Sequence, residues 1–338
     1  MTSPHRYSLP FVLIACLVLF GGCIPEESPV APFDRGPVRD VTLAMGVDYD
    51  TQIYFNLETG SVVKTSPTVA WDLGFRSDAG GHHIVINGST VMAAADAGAV
   101  AFDEVRSSTG AKWWNDRPDG SWDSTAIGIW WKEDGDVVAS LGHIYLIDRG
   151  YRPDGRRRGF VKMQVLGANR QSYSIRFANL DGSNEHTVSI RRDTLRVLTH
   201  FSFDNGGGVV EVEPRRDEWD FVMTRYTHVF YEPEYTPYAV TGVLLNRART
   251  QAVLDTTRTF DEITAATVSS YMFTNDLNTV GYEWKWYDLN GTGKYIVYPR
   301  FVYVVRRITD GIAFKLRFVD FYNDRGERGY PFMEWQGL

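Results

Sequence analysis

Apolar and polar positions alternate through most of the chain. Trp71-Asp72-Leu73-Gly74-Phe75-Arg76 puts Trp71, Leu73 and Phe75 on one face of a strand and Asp72, Gly74 and Arg76 on the other. Trp219-Asp220-Phe221-Val222-Met223-Thr224-Arg225 repeats the pair and the alternation 148 positions later. Residues 298–306 and 313–321 are runs of apolar, β-branched and aromatic side chains, and Thr309-Asp310-Gly311 between them has hairpin-turn chemistry. Turns are expected at 205–208 and 290–293. Helical signals are scarce: Thr259, with Glu262 three residues on, is a candidate start for a short helix. The pattern predicts an all-β protein of antiparallel sheets. Its long polar loops, 106–125 and 264–279, are where function on a β scaffold usually sits.

The order of elements recurs. A strand, an aromatic strand, a Gly turn, a Val-Val strand and a Trp-Asp strand run from about residue 41 and again from about residue 187. Ala101-Phe102-Asp103-Glu104-Val105 is matched by Thr259-Phe260-Asp261-Glu262-Ile263, and Phe160-Val161-Lys162-Met163 by Ala313-Phe314-Lys315-Leu316. Seven such blocks keep one order, at offsets of about 146 to 158. We expect an internal duplication, with one β domain over 41–183 and a second over 184–338. The short junction 181–185 would hold them in contact.

The beginning of the chain follows another pattern. Residues 11–20 form an unbroken apolar run, too short for a stable membrane span and suited to the core of a signal peptide. Gly21-Gly22-Cys23 resembles a bacterial lipobox, which predicts a signal peptide over 1–22 and lipidation of Cys23. Cys16 would be lost with the signal peptide, leaving Cys23 no disulfide partner. Residues 23–40, rich in proline, would form a lipid-anchored flexible tether. Glu26-Glu27 just after the Cys resembles the surface-export signal of Bacteroidetes-type lipoproteins.

Composition narrows the function. The chain has 338 residues, is 43% hydrophobic and 14% aromatic, and carries a net charge of −7. This supports a packed core and gives no basic footprint for nucleic acid. GxSxG, HExxH, CxxC and Walker-type motifs are missing, and 288–299 fails as a calcium loop because Pro299 holds the place of the required Glu. Adjacent carboxylates such as Asp103-Glu104 would point to opposite faces of a strand, which disfavours paired acid–base work.

Three stretches carry a family resemblance. They are Tyr54-Phe55-Asn56-Leu57 with Gly60 and Val62-Val63, the Trp71–Arg76 strand, and the closing run from Val302-Tyr303-Val304-Val305 through Phe314-Lys315-Leu316-Arg317-Phe318 to Gly329-Tyr330. Together with Cys23 these resemble the HmuY family of haem-binding lipoproteins. The resemblance implies an all-β fold with long finger loops, here as two tandem units, and haem capture at the cell surface. It also implies axial iron ligands, His pairs or Met, in the finger regions. In this chain those regions, 106–140 and 264–300, contain no histidine, and Met272 is their soft ligand.

The candidate haem ligands are His82 and His83 in a Gly-rich loop, His228 after the second Trp-Asp strand, and Met272. Trp113, Trp114 and Trp122 are candidates for stacking on a porphyrin or on sugar rings. His143, His186 and His200 read as structural, and Trp71 and Trp219 as core, with Asp72 and Asp220 bonded to a neighbouring turn or Arg. The expected protein is a non-enzymatic outer-membrane lipoprotein, exposed at the cell surface, that binds haem or a similar planar ligand. The other reading is a lipoprotein of the same fold that does not ligate haem and contacts glycan or an outer-membrane protein partner.

Overall fold

The computed structural model describes residues 36–134 and 137–338. The expected signal peptide, Cys23 and most of the tether lie outside the described residues. The first half supplies β1 (Arg39–Thr42), β2 (Thr51–Asn56), β3 (Ser61–Pro67), β4 (Leu73–Arg76), β5 (Ile84–Ile86), β6 (Ala93–Asp96), β7 (Trp131–Asp134), β8 (Val137–Ser140), β9 (Ile144–Asp148), β10 (Phe160–Ala168) and β11 (Ser172–Asn179). The second supplies β12 (His186–Arg191), β13 (Leu198–Ser202), β14 (Gly208–Val209), β15 (Phe221–Phe230), β16 (Thr236–Leu245), β17 (Thr250–Asp255), β18 (Lys285–Tyr287), β19 (Tyr295–Val297), β20 (Val302–Arg307), β21 (Ala313–Tyr322) and β22 (Arg328–Gly337). The protein is all-β, and its strands pair antiparallel. The expected hairpin at 309–311 joins β20 to β21. The expected helix at Thr259 does not form: Glu262 folds back onto the Thr259 N–H and hydroxyl in a turn. A single helical turn instead begins at Ala265, boxed by Thr264 and Thr267.

Strand partners cross between the two halves of the chain. β1 closes the sheet β17-β20-β21-β22, and β12 closes the sheet built on β6, β9, β10 and β11. The two smaller sheets run β14-β13-β4-β5 and β16-β15-β2-β3, each mixing strands of both halves. The cores follow the same exchange. Leu43 and Phe55 are buried with Phe221, Tyr303, Phe318 and Trp335 in one, and Leu73 and Phe75 with Tyr145, Met163, Tyr173 and Phe201 in the other. The expected units 41–183 and 184–338 are therefore not the units that pack. Phe55 shows why. It pairs with Phe221 across β2 and β15, stacks on it at 5.4 Å between ring centroids, and takes the edge of Trp335 at 5.3 Å. Aromatic contacts of this kind add to the burial that drives the packing.

Several contact sets occur twice. The Asp72 N–H donates to the Phe201 carbonyl and the Asp220 N–H to that of Phe55. Asp72 accepts from Arg149 and from the Phe203 N–H; Asp220 accepts from Arg249 and the Leu57 N–H. Asn87 donates to the Thr68 and Trp71 carbonyls, and Asn246 to those of Arg216 and Trp219. Buried Lys162 donates to the Phe102 and Val105 carbonyls; buried Lys315 donates to those of Phe260 and Ile263. The two aspartates bond a turn and an Arg, as their sequence suggests.

These aspartates also bend the chain, and β4 and β15 begin only after them. The bend breaks the alternation at the two tryptophans. Leu73 and Phe75 enter one core and Phe221 and Met223 the other, whereas Trp71 and Trp219 turn to a third apolar cluster with Tyr54, Val212 and Val222.

Candidate ligand-binding site

The third cluster lies between the two smaller sheets. Period-2 alternation sends one face of each sheet to its own core and leaves the other facing its neighbour. Val85, Leu198 and His200 come from one sheet, and Tyr54, Val222 and Tyr226 from the other. They wall a cavity of about 180 Å3. Its mouth is formed by the loop from Asn115 to Trp122, against which Arg247 and Leu277 pack. Close backbone contact holds that side in place. The Val243 N–H donates to the Gly281 carbonyl at 2.9 Å, and a Cβ on Gly242 would sit 2.2 Å from that oxygen, so only glycine fits.

The wall is apolar in effect although it contains ionisable groups. His200, 4% exposed with its ring edge-on to Trp71 at 4.7 Å, is held neutral by burial, its pKa lowered to about 3. Glu213, 3% exposed, is pushed up to about 8 by burial, against the pull of the Val197 and Leu198 N–H groups that its carboxylate accepts. Burial likewise raises Asp116 to about 7 while its oxygens accept from the Ile86 and Ala126 N–H groups. Three polar atoms of the wall are buried without a partner among the described residues: Nε1 of Trp71, Nε1 of Trp219 and the hydroxyl of Tyr226.

An open groove of about 480 Å3 adjoins the mouth and shares Arg117 and Pro118 with it. Its far wall is the end of β15, with His228 and Phe230, followed by Tyr231. His228 and Phe230 lie on one face of the strand with ring centroids 4.8 Å apart, and Tyr238 faces His228 across the β15–β16 pair. Burial lowers the pKa of His228, and its Nδ1 has no partner among the described residues. Exposed aromatic surface continues outward. Tyr231 is 59% and Trp114 54% exposed, and both meet Tyr235, at 5.9 and 5.5 Å.

The candidate residues read from the sequence are thus dispersed. His82 is half-buried with both ring nitrogens engaged, Nδ1 by Arg192 at 2.5 Å and Nε2 by Glu133 at 3.5 Å. His83 is 8% exposed, between Trp122 at 5.4 Å and Trp131 at 4.9 Å. Trp122 stands at the cavity mouth beneath two guanidinium groups, Arg247 at 4.4 Å and Arg76 at 4.7 Å. Trp113 packs on Phe160 beside a small core, and Met272 is 90% exposed. Of the ligand candidates, His228 is the one beside an open groove. Its aromatic neighbours Phe230, Tyr231 and Tyr235 were not singled out from the sequence, although the density Phe230-Tyr231-Glu232-Pro233-Glu234-Tyr235 was there to notice. Glu213 and the cavity face of the two tryptophans gave no such signal, because they depend on which sheets come to face each other.

The family model described as HmuY protein matches residues 48–335. The match ends at Trp335, in the core that also holds Phe55. No curated protein matches the chain. Among solved structures, the apo HmuY analogue of Tannerella forsythia is 10% identical, with 90% of this chain and 98% of that one covered and a TM-score of 0.34. Apo PinO from Porphyromonas gingivitis is 11% identical, with the same coverages and a TM-score of 0.27.

Proposed function

The chain belongs to the HmuY family, and from that premise we propose a lipid-anchored, non-enzymatic binding protein of the cell surface that captures haem or a similar planar ligand in the groove beside His228. The observation that carries this reading is the pairing of a neutral imidazole with an open aromatic wall. A ring kept unprotonated by burial is in the state that ligates iron. Phe230 and Tyr231 offer faces to a planar ring system, and Arg117, held by Asp119 at 3.0 Å, lines the same groove. The bare Nδ1 of His228 matters as well. Metal-ligating histidines usually donate their second nitrogen to a partner, and its absence weakens ligation by roughly 10–100-fold. Weak ligation suits a carrier that must hand over its cargo. The cavity between the small sheets, at about 180 Å3, is too small for a porphyrin, so haem would lie outside it.

Titrating the soluble chain with haemin and following the Soret band tests this. A saturable red shift is expected, reduced in His228→Ala. No spectral change with excess haemin would sink the proposal. The exposed Trp114–Tyr235–Tyr231 series favours one other reading, stacking on sugar rings of a surface glycan. Glycan-array binding lost in Trp114→Ala, in a protein that leaves haemin unshifted, would select it.

A further inference from the structure

We infer that the cavity between the two small sheets is a second, internal binding site, separate from the His228 groove, and that it takes a small aromatic carboxylate. Size comes first. An apolar cavity of about 150 Å3 can hold one benzene ring, and this one, at about 180 Å3, has room for one or two fused rings. Lining comes second. Trp71, Trp219, Val85, Leu198 and Val222 give a ring system apolar and aromatic neighbours. Burial holds His200 neutral and disfavours the ionised forms of Glu213 and, at the mouth, Asp116, so the wall is a poor host for an ionic group.

Charge at the mouth comes third. Arg117 is paired with Asp119 at 3.0 Å, and Arg225 lies on the other face of β15, in step with Phe221 and Met223. Arg247 is different. It is half-buried, lies over the Trp122 ring, donates to the Gly120 carbonyl, and has no carboxylate within ion-pair distance among the described residues. Asp119, Asp276 and Asp78 act on this partly buried guanidinium only from beyond ion-pair distance, and a ligand carboxylate would supply a direct partner. The chain ties Arg247 to the cavity through its neighbour Asn246, whose amide holds the Trp219 carbonyl. Finally, the unpartnered Trp71 and Trp219 N–H groups and the Tyr226 hydroxyl leave donors in the wall for a ligand bearing an acceptor on its ring.

The experiment is calorimetric titration of the soluble chain with 2-naphthoate and with the uncharged 2-naphthalenemethanol. The acid is expected to bind one to one, about tenfold or more tightly than the alcohol, as a charge-assisted contact implies. Arg247→Gln should bring the acid down to the level of the alcohol, and Leu244→Trp, which fills the cavity, should abolish both. Arg247→Gln decides the matter alone if the filled variant does not fold. His228→Ala should leave naphthoate binding intact, which keeps this result independent of haem capture. The inference is overturned if neither probe binds, or if Arg247→Gln leaves the acid unaffected. It is equally overturned if His228→Ala abolishes binding that Leu244→Trp retains, since the probe would then sit in the outer groove.

Discussion

Glu213 makes the sharpest thermodynamic prediction. In the folded protein its carboxyl is 3% exposed and titrates at about 8, whereas an ordinary glutamate does so near 4.5. Between those two values the folded state keeps a proton that the unfolded chain has released. By linkage, stability falls as pH rises through the window, by about 1.4 kcal/mol per pH unit, and a shift of this size amounts to roughly 4–5 kcal/mol when complete. Glu213→Gln isolates the effect: the amide oxygen can still accept from the Val197 and Leu198 N–H groups but does not titrate. Denaturant unfolding of both proteins at pH 5, 6, 7 and 8 is the assay. The variant should match the wild type near pH 5 and exceed it by about 3–5 kcal/mol at pH 8. His200 works in the opposite sense. With its folded pKa lowered to about 3, its contribution is full above about 6.5 and is lost as pH falls towards 3. Because both proteins carry His200, its effect cancels in their difference. A gap between variant and wild type that stays constant from pH 5 to 8 would refute the burial argument.

Three further outcomes are expected. Lys162→Met leaves the Phe102 and Val105 carbonyls without their buried donor and should cost about 2–4 kcal/mol in chemical denaturation. Asp72→Ala removes the buried carboxylate that faces Arg149 at 2.9 Å and Arg158 at 3.0 Å, leaving them only the half-exposed Asp204, and should cost about 3–5 kcal/mol by the same measurement. Met272→Ala should leave any haemin Soret shift unchanged, since that side chain is 90% exposed and lies outside the groove.

Much of the fold was legible where the argument was local. Alternation found the strands, and Asp310-Gly311 found the closing hairpin. The paired motifs anticipated contacts that recur in detail, such as the buried lysines that each hold two carbonyls. Partner choice was not legible. The alternation of β2 is satisfied by any apolar strand edge, and nothing local in Tyr54-Phe55-Asn56 says that Phe55 will lie on Phe221, 166 positions away, rather than on the neighbouring Trp-Asp strand. The tryptophans illustrate a second limit. Extending period-2 back from Leu73 puts Trp71 in the wrong core, because Asp72 accepts from the Phe203 N–H and the chain bends to let it. The site inherits both limits. His228 was visible as a residue, but its groove and the adjoining cavity exist only after the sheets have exchanged strands.

That exchange has a consequence for anyone who cuts the chain. Severing the exposed turn at Asp181-Gly182-Ser183 would yield two fragments, neither holding a complete core. The first would keep β1, β2 and β3 without the β15 and β22 edges they complete, and the second would keep β12 and β13 without β11 and β4. Each fragment would carry unpaired strand edges and exposed apolar surface, so each alone should aggregate. Mixed together, they should reassemble by complementation, each supplying the strands that the other lacks.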